Sequence, residues 1–165
     1  MGDEKKSPIA AGSGSADLTY YIVEGVLAGT IGEQPIHISA WSGGGGGSTK
    51  NRASYTANNP YMAALKTVGD GKHHVHGGPL PPGKYIIGKP VHSSHLGLCA
   101  SLTHTKLKTP MGRSGFYIHG RGPHGSDGCI VPTDKNDFKR LMSLLTKSGG
   151  GSMWVLETMS DVGYA

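Results

Sequence analysis

Apolar and polar residues alternate over two stretches near the start of the chain, and glycines separate the stretches. The first begins at Leu18 and continues through Tyr20 and Ile22, and the second runs from Ile36 to Trp41. A period of two is typical of strands that turn one face to a core. The pattern therefore predicts two strands joined by a turn near residues 29–34.

Short apolar runs farther along the chain predict more strands, because turn-forming residues bound each of them. The runs are Lys84–Ile87, Leu96–Leu102, Phe116–His119, Cys129–Val131 and Met153–Met159. Among the larger aromatic residues, the same pattern assigns four to the core: Tyr20, Trp41, Tyr85 and Trp154.

One segment has a helical period instead. Its apolar residues recur at i, i+3, i+4 and i+7: Phe138, Leu141, Met142 and Leu145. Thr133 or Asp134 is suited to cap its start, and Gly149 to end it. We predict a helix over residues 133–147 and a single helical turn within residues 61–68, where the pattern is weaker.

Length and composition agree with one small, mainly β domain. The chain has 165 residues, of which 28 are Gly and 10 are Pro, so turns are frequent and a helical bundle is disfavoured. A single strong helix also argues against a doubly wound α/β sheet. Residues 1–16 are polar and Gly/Ser-rich and are interpreted as a flexible lead-in, residues 17–165 as the domain, and the glycine run 43–47 as a loop.

Charge favours an acidic partner without choosing one. Sixteen basic and 11 acidic residues give a net charge of +5, which suits nucleic acid, anionic lipid or an anionic cell-wall polymer. There is no run of five basic residues, so nucleic-acid binding is not predicted. No apolar run is long enough to span a membrane, so no membrane span is predicted. No apolar run follows the charged residues 1–6, so no signal peptide is predicted.

The two cysteines, Cys99 and Cys129, are too few for a disulfide scaffold, and no CxxC pair predicts a zinc site. Cys99 lies in an apolar run and is interpreted as a buried structural residue, with a bridge to Cys129 as the alternative. The histidines at 73, 74 and 76 lie in a segment rich in Gly and Pro, so they predict a polar loop rather than a metal site. We predict no cofactor.

Residues 112–132, GRSGFYIHGRGPHGSDGCIVP, carry the candidate chemistry. A short apolar strand ends in His119, and a glycine-rich loop leads to Cys129 ten positions later. A thiol attacks only as the thiolate, so it needs a nearby base, and histidine is the usual one. Gly125 and Gly128 allow a sharp turn whose N–H groups can face a developing oxyanion. The alternative is that both residues are structural.

The order of these residues resembles the active-site signature of L,D-transpeptidase catalytic domains: a His-Gly pair, a loop, then Ser/Thr-His-Gly-Cys and a hydrophobic residue. Here the matching segments are Ile118-His119-Gly120 and Ser126-Asp127-Gly128-Cys129-Ile130. The element GPLPPGKYII at 78–87, and Arg113 before Ser-Gly-Phe, resemble a compact branch that includes effectors delivered by type VI secretion.

The chain departs from that signature at three points. Asp127 replaces the histidine before Gly-Cys, the loop between His119 and Cys129 is shorter than in the larger enzymes, and Val131-Pro132 replaces the usual Arg or Asn. These departures bear on the cross-linking reaction more than on the nucleophile.

The resemblance implies a small β-sandwich with one principal helix. It implies Cys129 as the nucleophile and His119 as the base, with the Gly120 carbonyl orienting the histidine ring. The N–H groups of Gly128 and Cys129 are the candidate oxyanion hole. The candidate substrate-binding residues are Arg113, His124, Ser126 and Asp127, and no metal is implied.

The implied substrate is the peptidoglycan stem tetrapeptide, cut at its L,D bond with hydrolysis, D-amino-acid exchange or transpeptidation to follow. The effector branch implies synthesis in the cytoplasm, export by a secretion apparatus, action in the periplasm of a target bacterium and a cognate immunity protein. One alternative is a non-catalytic wall-binding or toxin-associated module. A papain-like amidase is disfavoured, because its cysteine precedes its histidine in the chain.

Overall fold

The computed structural model describes residues 14–43, 58, 60–62, 68–69, 74–75, 78–106, 113–120 and 128–160. In chain order, the strands within these ranges are β1 Ala16–Tyr21, β2 Val26–Ile31, β3 Gln34–Ser42, β4 Val68–Gly69, β5 His74–Val75, β6 Gly83–Ile87, β7 Val91–Ser93, β8 Gly97–His104, β9 Phe116–His119, β10 Ile130–Pro132 and β11 Gly151–Leu156. The same ranges contain one α-helix, α1, over Lys135–Ser148 and a 3₁₀ helix over Pro60–Met62.

Nine of the described strands form one large sheet that closes on itself. Its order is β6-β11-β1-β2-β3-β10-β9-β8-β7, and it closes because the first strand, β6, also pairs with β8, the last strand but one. Neighbours are antiparallel except β1 with β11 and β9 with β10, which run parallel. Strands β4 and β5 form a separate two-stranded ribbon. The prediction of a mainly β domain with one principal helix is confirmed.

Alternation places one face of each strand in a common core. Along β3 the buried positions are Ile36, Ile38, Ala40 and Ser42, with more exposed residues between them. Tyr20 and Tyr85 are fully buried, as predicted. Trp154 is not a core residue: it is 48% exposed, and the Lys84 ammonium lies 5.8 Å from the centre of its ring.

The prediction of two strands at the start of the chain was wrong by one turn. Residues 22–25 reverse the chain, and the Gly25 N–H donates to the Tyr21 carbonyl, so three strands stand where alternation suggested two. Strand β1 begins at Ala16, the last residue of the predicted lead-in. Residues 1–13, residues 44–47 of the predicted loop and most of the predicted turn in 61–68 lie outside the described residues.

Helix α1 matches its prediction closely. The Asp134 carboxylate accepts the N–H groups of Asn136 and Asp137 at 2.8 and 2.9 Å, which caps the first turn. At the other end Gly149 has φ 76°, and its N–H donates to the Leu145 carbonyl. Leu141, Met142 and Leu145 are buried in the core, and Phe138 packs against its edge.

We expect Leu141→Ala to lower the free energy of unfolding by about 2–5 kcal/mol, because Leu141 is 1% exposed within the core. The measurement is a urea unfolding curve. Ser143→Ala, on the exposed side of the same helix, is the control and is expected to change stability by less than about 0.5 kcal/mol. Equal midpoints for the two variants would contradict the packing of this face.

Candidate active site

Two adjacent parallel strands carry the candidate nucleophile and base. Ile130 of β10 pairs with Ile118 of β9, and both isoleucines are buried in the core. His119 is the last residue of β9, and Cys129 immediately precedes β10. Neighbouring strands lie about 4.8 Å apart, and this parallel register sets Cys129 level with Tyr117, two residues before His119.

The Cys129 thiol lies against the backbone of β9. The Tyr117 N–H donates to Cys129 Sγ at 3.3 Å, two residues before His119. Cys129 is half-buried, so reagents can approach a sulfur that is partly shielded from water. A hydrogen bond to the charged form of a group favours that form, so this N–H stabilises a thiolate.

His119 is held in one orientation by the residue that follows it. It is 6% exposed, and its Nδ1 lies 2.8 Å from the Gly120 carbonyl oxygen. Burial lowers the pKa of His119, and the bond to Gly120 partly opposes that shift. A carbonyl oxygen can only accept, so Nδ1 carries the proton and Nε2 of the neutral ring holds the lone pair that a general base needs.

A cavity of about 450 Å³ opens at Gly120, the residue that follows this histidine. Its described lining residues are Gly120, Pro132, Thr133, Lys135 and Phe138. Gly120 closes one side with no side chain, and a Cβ there would lie 3.3 Å from the Phe138 ring. A space large enough for part of a peptide therefore begins one residue after the candidate base.

A side chain at Gly128 would clash with two neighbouring side chains. Its φ of 114° lies in a region that favours glycine, and a Cβ would lie 2.6 Å from both Arg113 Nη2 and the Phe116 ring. The backbone next to Cys129 is thus packed directly onto two side chains.

Arg113 is buried beneath this turn rather than extended into solvent. It is 6% exposed, and its guanidinium donates to the carbonyls of Pro79 and Gly78 at 2.8 and 3.0 Å while lying 5.2 Å from the Phe116 ring. These contacts make it an anchor for the Gly78–Leu80 segment. Substrate binding by Arg113 stays a prediction.

Three contributors to the site were missed in the sequence. Tyr117 acts through its backbone, which residue type cannot reveal. The Ser42 hydroxyl bonds Gly128 and Leu80, and the Asn58 side chain accepts the Ser42 N–H. The available signal was a serine at the last inward position of β3, after three apolar residues.

Several predicted residues lie outside the described part of the chain: His73, His76, His124, Ser126 and Asp127. Of His74 the backbone lies in β5. Within the described ranges no group of three or more His, Cys, Asp or Glu residues could hold a metal. In those same ranges no helix has the length and apolar character needed to cross a bilayer.

Cys99 and Cys129 do not form a disulfide. Cys99 is fully buried in β8, directly across from His119 in the strand register. Burial raises the pKa of the Cys99 thiol, which makes it a poor nucleophile. Its assignment as a buried structural residue is confirmed.

Solved structures share this architecture at low sequence identity. The L,D-transpeptidase from Xylanimonas cellulosilytica aligns over 87% of this chain and 61% of its own, with 13% identity and a TM-score of 0.50. The helical cell shape determining protein Pgp2 (K307A mutant) from Campylobacter jejuni aligns over 88% of this chain and 48% of its own, with 14% identity and a TM-score of 0.52. The chain has an L,D-transpeptidase-like fold and spans less than two thirds of either protein.

No protein-family model and no curated protein sequence matches the chain.

Proposed function

We propose that this protein is a cysteine enzyme that acts on peptidoglycan stem tetrapeptides at their L,D bond. The observation that carries the proposal is the pairing of β9 and β10: Cys129 Sγ accepts the Tyr117 N–H, and His119, two residues further along β9, has its ring oriented by the Gly120 carbonyl. An L,D-transpeptidase-like fold around this pair supports the substrate class.

In the first half-reaction, Nε2 of His119 takes the thiol proton and Cys129 Sγ attacks the carbonyl carbon of the third stem residue. The peptide C–N bond to the terminal D-alanine breaks, and the proton held by His119 passes to the leaving amine. A thioacyl enzyme and free D-alanine result.

In the second half-reaction, His119 takes a proton from water or from an incoming amine, which attacks the thioacyl carbon. The C–S bond breaks, and the sulfur recovers a proton. Water yields a tripeptide; an amine from a D-amino acid or another stem yields an exchanged or cross-linked product. The N–H groups of Gly128 and Cys129 are the proposed oxyanion donors, because the turn at Gly128 carries them next to the nucleophile.

The remaining roles follow from the resemblance of 78–87 and 112–132 to the compact branch. Arg113, His124, Ser126 and Asp127 contact the substrate, and the net charge of +5 favours an anionic wall polymer. The protein is a type VI effector that acts in the periplasm of a rival bacterium and is neutralised by an immunity protein.

The test is incubation with purified tetrapeptide muropeptides, with and without an added D-amino acid, followed by mass analysis. We expect loss of D-alanine or its replacement by the added D-amino acid. Unchanged masses together with binding to isolated wall would favour the non-catalytic module. For the effector role, the protein directed to the periplasm of a test bacterium is expected to lyse it, and the same protein kept in the cytoplasm is not.

A further inference from the structure

Ser42 occupies a junction between three parts of the chain. It ends β3, it is 0% exposed, and its Cα pairs in register with that of Ile130. Its hydroxyl donates to the Gly128 carbonyl at 2.9 Å and accepts the Leu80 N–H at 2.8 Å. These bonds join positions 86 and 38 residues away in sequence.

Both bonds depend on the ability of the small Ser42 side chain to donate and accept hydrogen bonds at the same time. A hydroxyl donates one hydrogen bond while accepting others, so one oxygen can serve a carbonyl and an N–H together. Gly128 and Leu80 are themselves buried. Removing the hydroxyl therefore withdraws a partner from two buried backbone groups at once.

The Ser42 side chain is itself fixed by its surroundings. The Ser42 N–H donates to Asn58 Oδ1 at 2.9 Å, and the Asn58 N–H donates back to the Ser42 carbonyl at 2.9 Å. The Tyr20 hydroxyl lies 2.6 Å from the same Asn58 oxygen. The hydroxyl of Ser42 is thus presented to Gly128 from a backbone that is hydrogen-bonded to Asn58 through both its N–H and its carbonyl.

The bond to Gly128 acts on the residue directly before the nucleophile. Gly128 already rests on Arg113 and Phe116, so packing limits its movement in one direction. The hydrogen bond from the Ser42 hydroxyl limits movement of the Gly128 carbonyl in another direction. A displacement of Gly128 passes through one peptide unit to Cys129, whose sulfur contacts the Tyr117 N–H at 3.3 Å.

We propose that Ser42 is a positioning residue, whose bond to the Gly128 carbonyl holds the Cys129 thiol on the Tyr117 N–H and beside His119. The inference rests on the proposed function only for its turnover readout. Its reactivity readout, alkylation of the thiol, is independent of any substrate.

The experiment compares Ser42→Ala and Ser42→Val with Ser42→Thr, which has the shape of valine but keeps the hydroxyl. Labelling of Cys129 by iodoacetamide is followed against pH, and kcat and KM are measured on tetrapeptide muropeptides. Tyr85→Phe is the matched control, because it keeps the ring but removes another fully buried hydroxyl, which donates to the Pro81 carbonyl at 2.7 Å rather than to Gly128.

In the two variants without the hydroxyl, the labelling profile is expected to move to higher pH. Their kcat is expected to fall about 10- to 100-fold, as small misplacements of reacting groups do, with little change in KM. Ser42→Thr and Tyr85→Phe are expected to keep the wild-type profile, although Tyr85→Phe melts at a lower temperature.

Unchanged labelling in folded Ser42→Ala would overturn the proposal, and so would an equal change in Tyr85→Phe. Failure of both hydroxyl-free variants to fold while Ser42→Thr folds would also overturn it, since the hydroxyl would then be required by the whole fold. If the wild-type protein processes no muropeptide, the proposed function fails, and the labelling comparison still decides the role of Ser42.

Discussion

Cys129→Ala is expected to reduce turnover of stem tetrapeptides by more than about 10³-fold, because no thioacyl intermediate can form without the sulfur. Stability should change by no more than about 1 kcal/mol, since the half-buried thiol accepts the Tyr117 N–H and contributes little core volume. Mass analysis of muropeptides gives the turnover, and thermal unfolding gives the stability.

Cys99→Ala is the matched control for this substitution. Cys99 is fully buried, so its loss is expected to lower the melting temperature while most of the turnover remains. Iodoacetamide should label Cys129 and spare Cys99 in the folded wild-type protein. Wild-type turnover in Cys129→Ala would show that the thiol chemistry is wrongly assigned.

His119→Ala is expected to lower turnover by about 10²- to 10⁴-fold and to slow alkylation of Cys129 at neutral pH, because the thiol loses its base. In the wild-type protein, burial holds the pKa of His119 below its ordinary value, so the neutral, basic ring persists to lower pH. The midpoint of the acidic limb in the pH profile of kcat/KM should therefore lie at a pH below about 6.5, the pKa of an unperturbed histidine.

His104→Ala is the control for His119→Ala, because it removes a buried imidazole that is not the proposed base. His104 is 7% exposed in β8, and burial lowers its pKa as it does for His119. We expect this variant to be less stable and to keep the wild-type pH profile of turnover. The assignment of the base would be wrong if His124→Ala displaced the Cys129 labelling profile upward while His119→Ala left it unchanged.

Local patterns in the sequence were sufficient for most of the elements. The helix was predictable because its apolar spacing, the Asp134 cap and the Gly149 stop all depend on neighbours within a few residues. Short apolar runs likewise predicted strands at Lys84–Ile87, Leu96–Leu102 and Phe116–His119, each within two residues of the observed bounds. The extra turn at 22–25 was missed because Ile22 at its start continues the alternation of the first strand.

Candidate chemistry was also visible in the chain, since a histidine at a strand end and a cysteine after a glycine-rich loop are local features. Their placement on adjacent strands is not local: it follows from the parallel pairing of β9 with β10. The thiol's partner is likewise a backbone N–H, that of Tyr117, whose identity depends on the register between the two strands.

The sequence alone therefore determined the helix and most of the strands and indicated two side chains as candidates for the chemistry, because periodicity, capping and residue type are properties of short stretches. The tertiary structure decided how the Cys129 thiol is held. Closure of the sheet places Ser42 under Gly128 and buries Arg113 against Gly78 and Pro79. Hydrogen bonds between residues so far apart in the chain exist only after the strands have paired, so no local pattern encodes them.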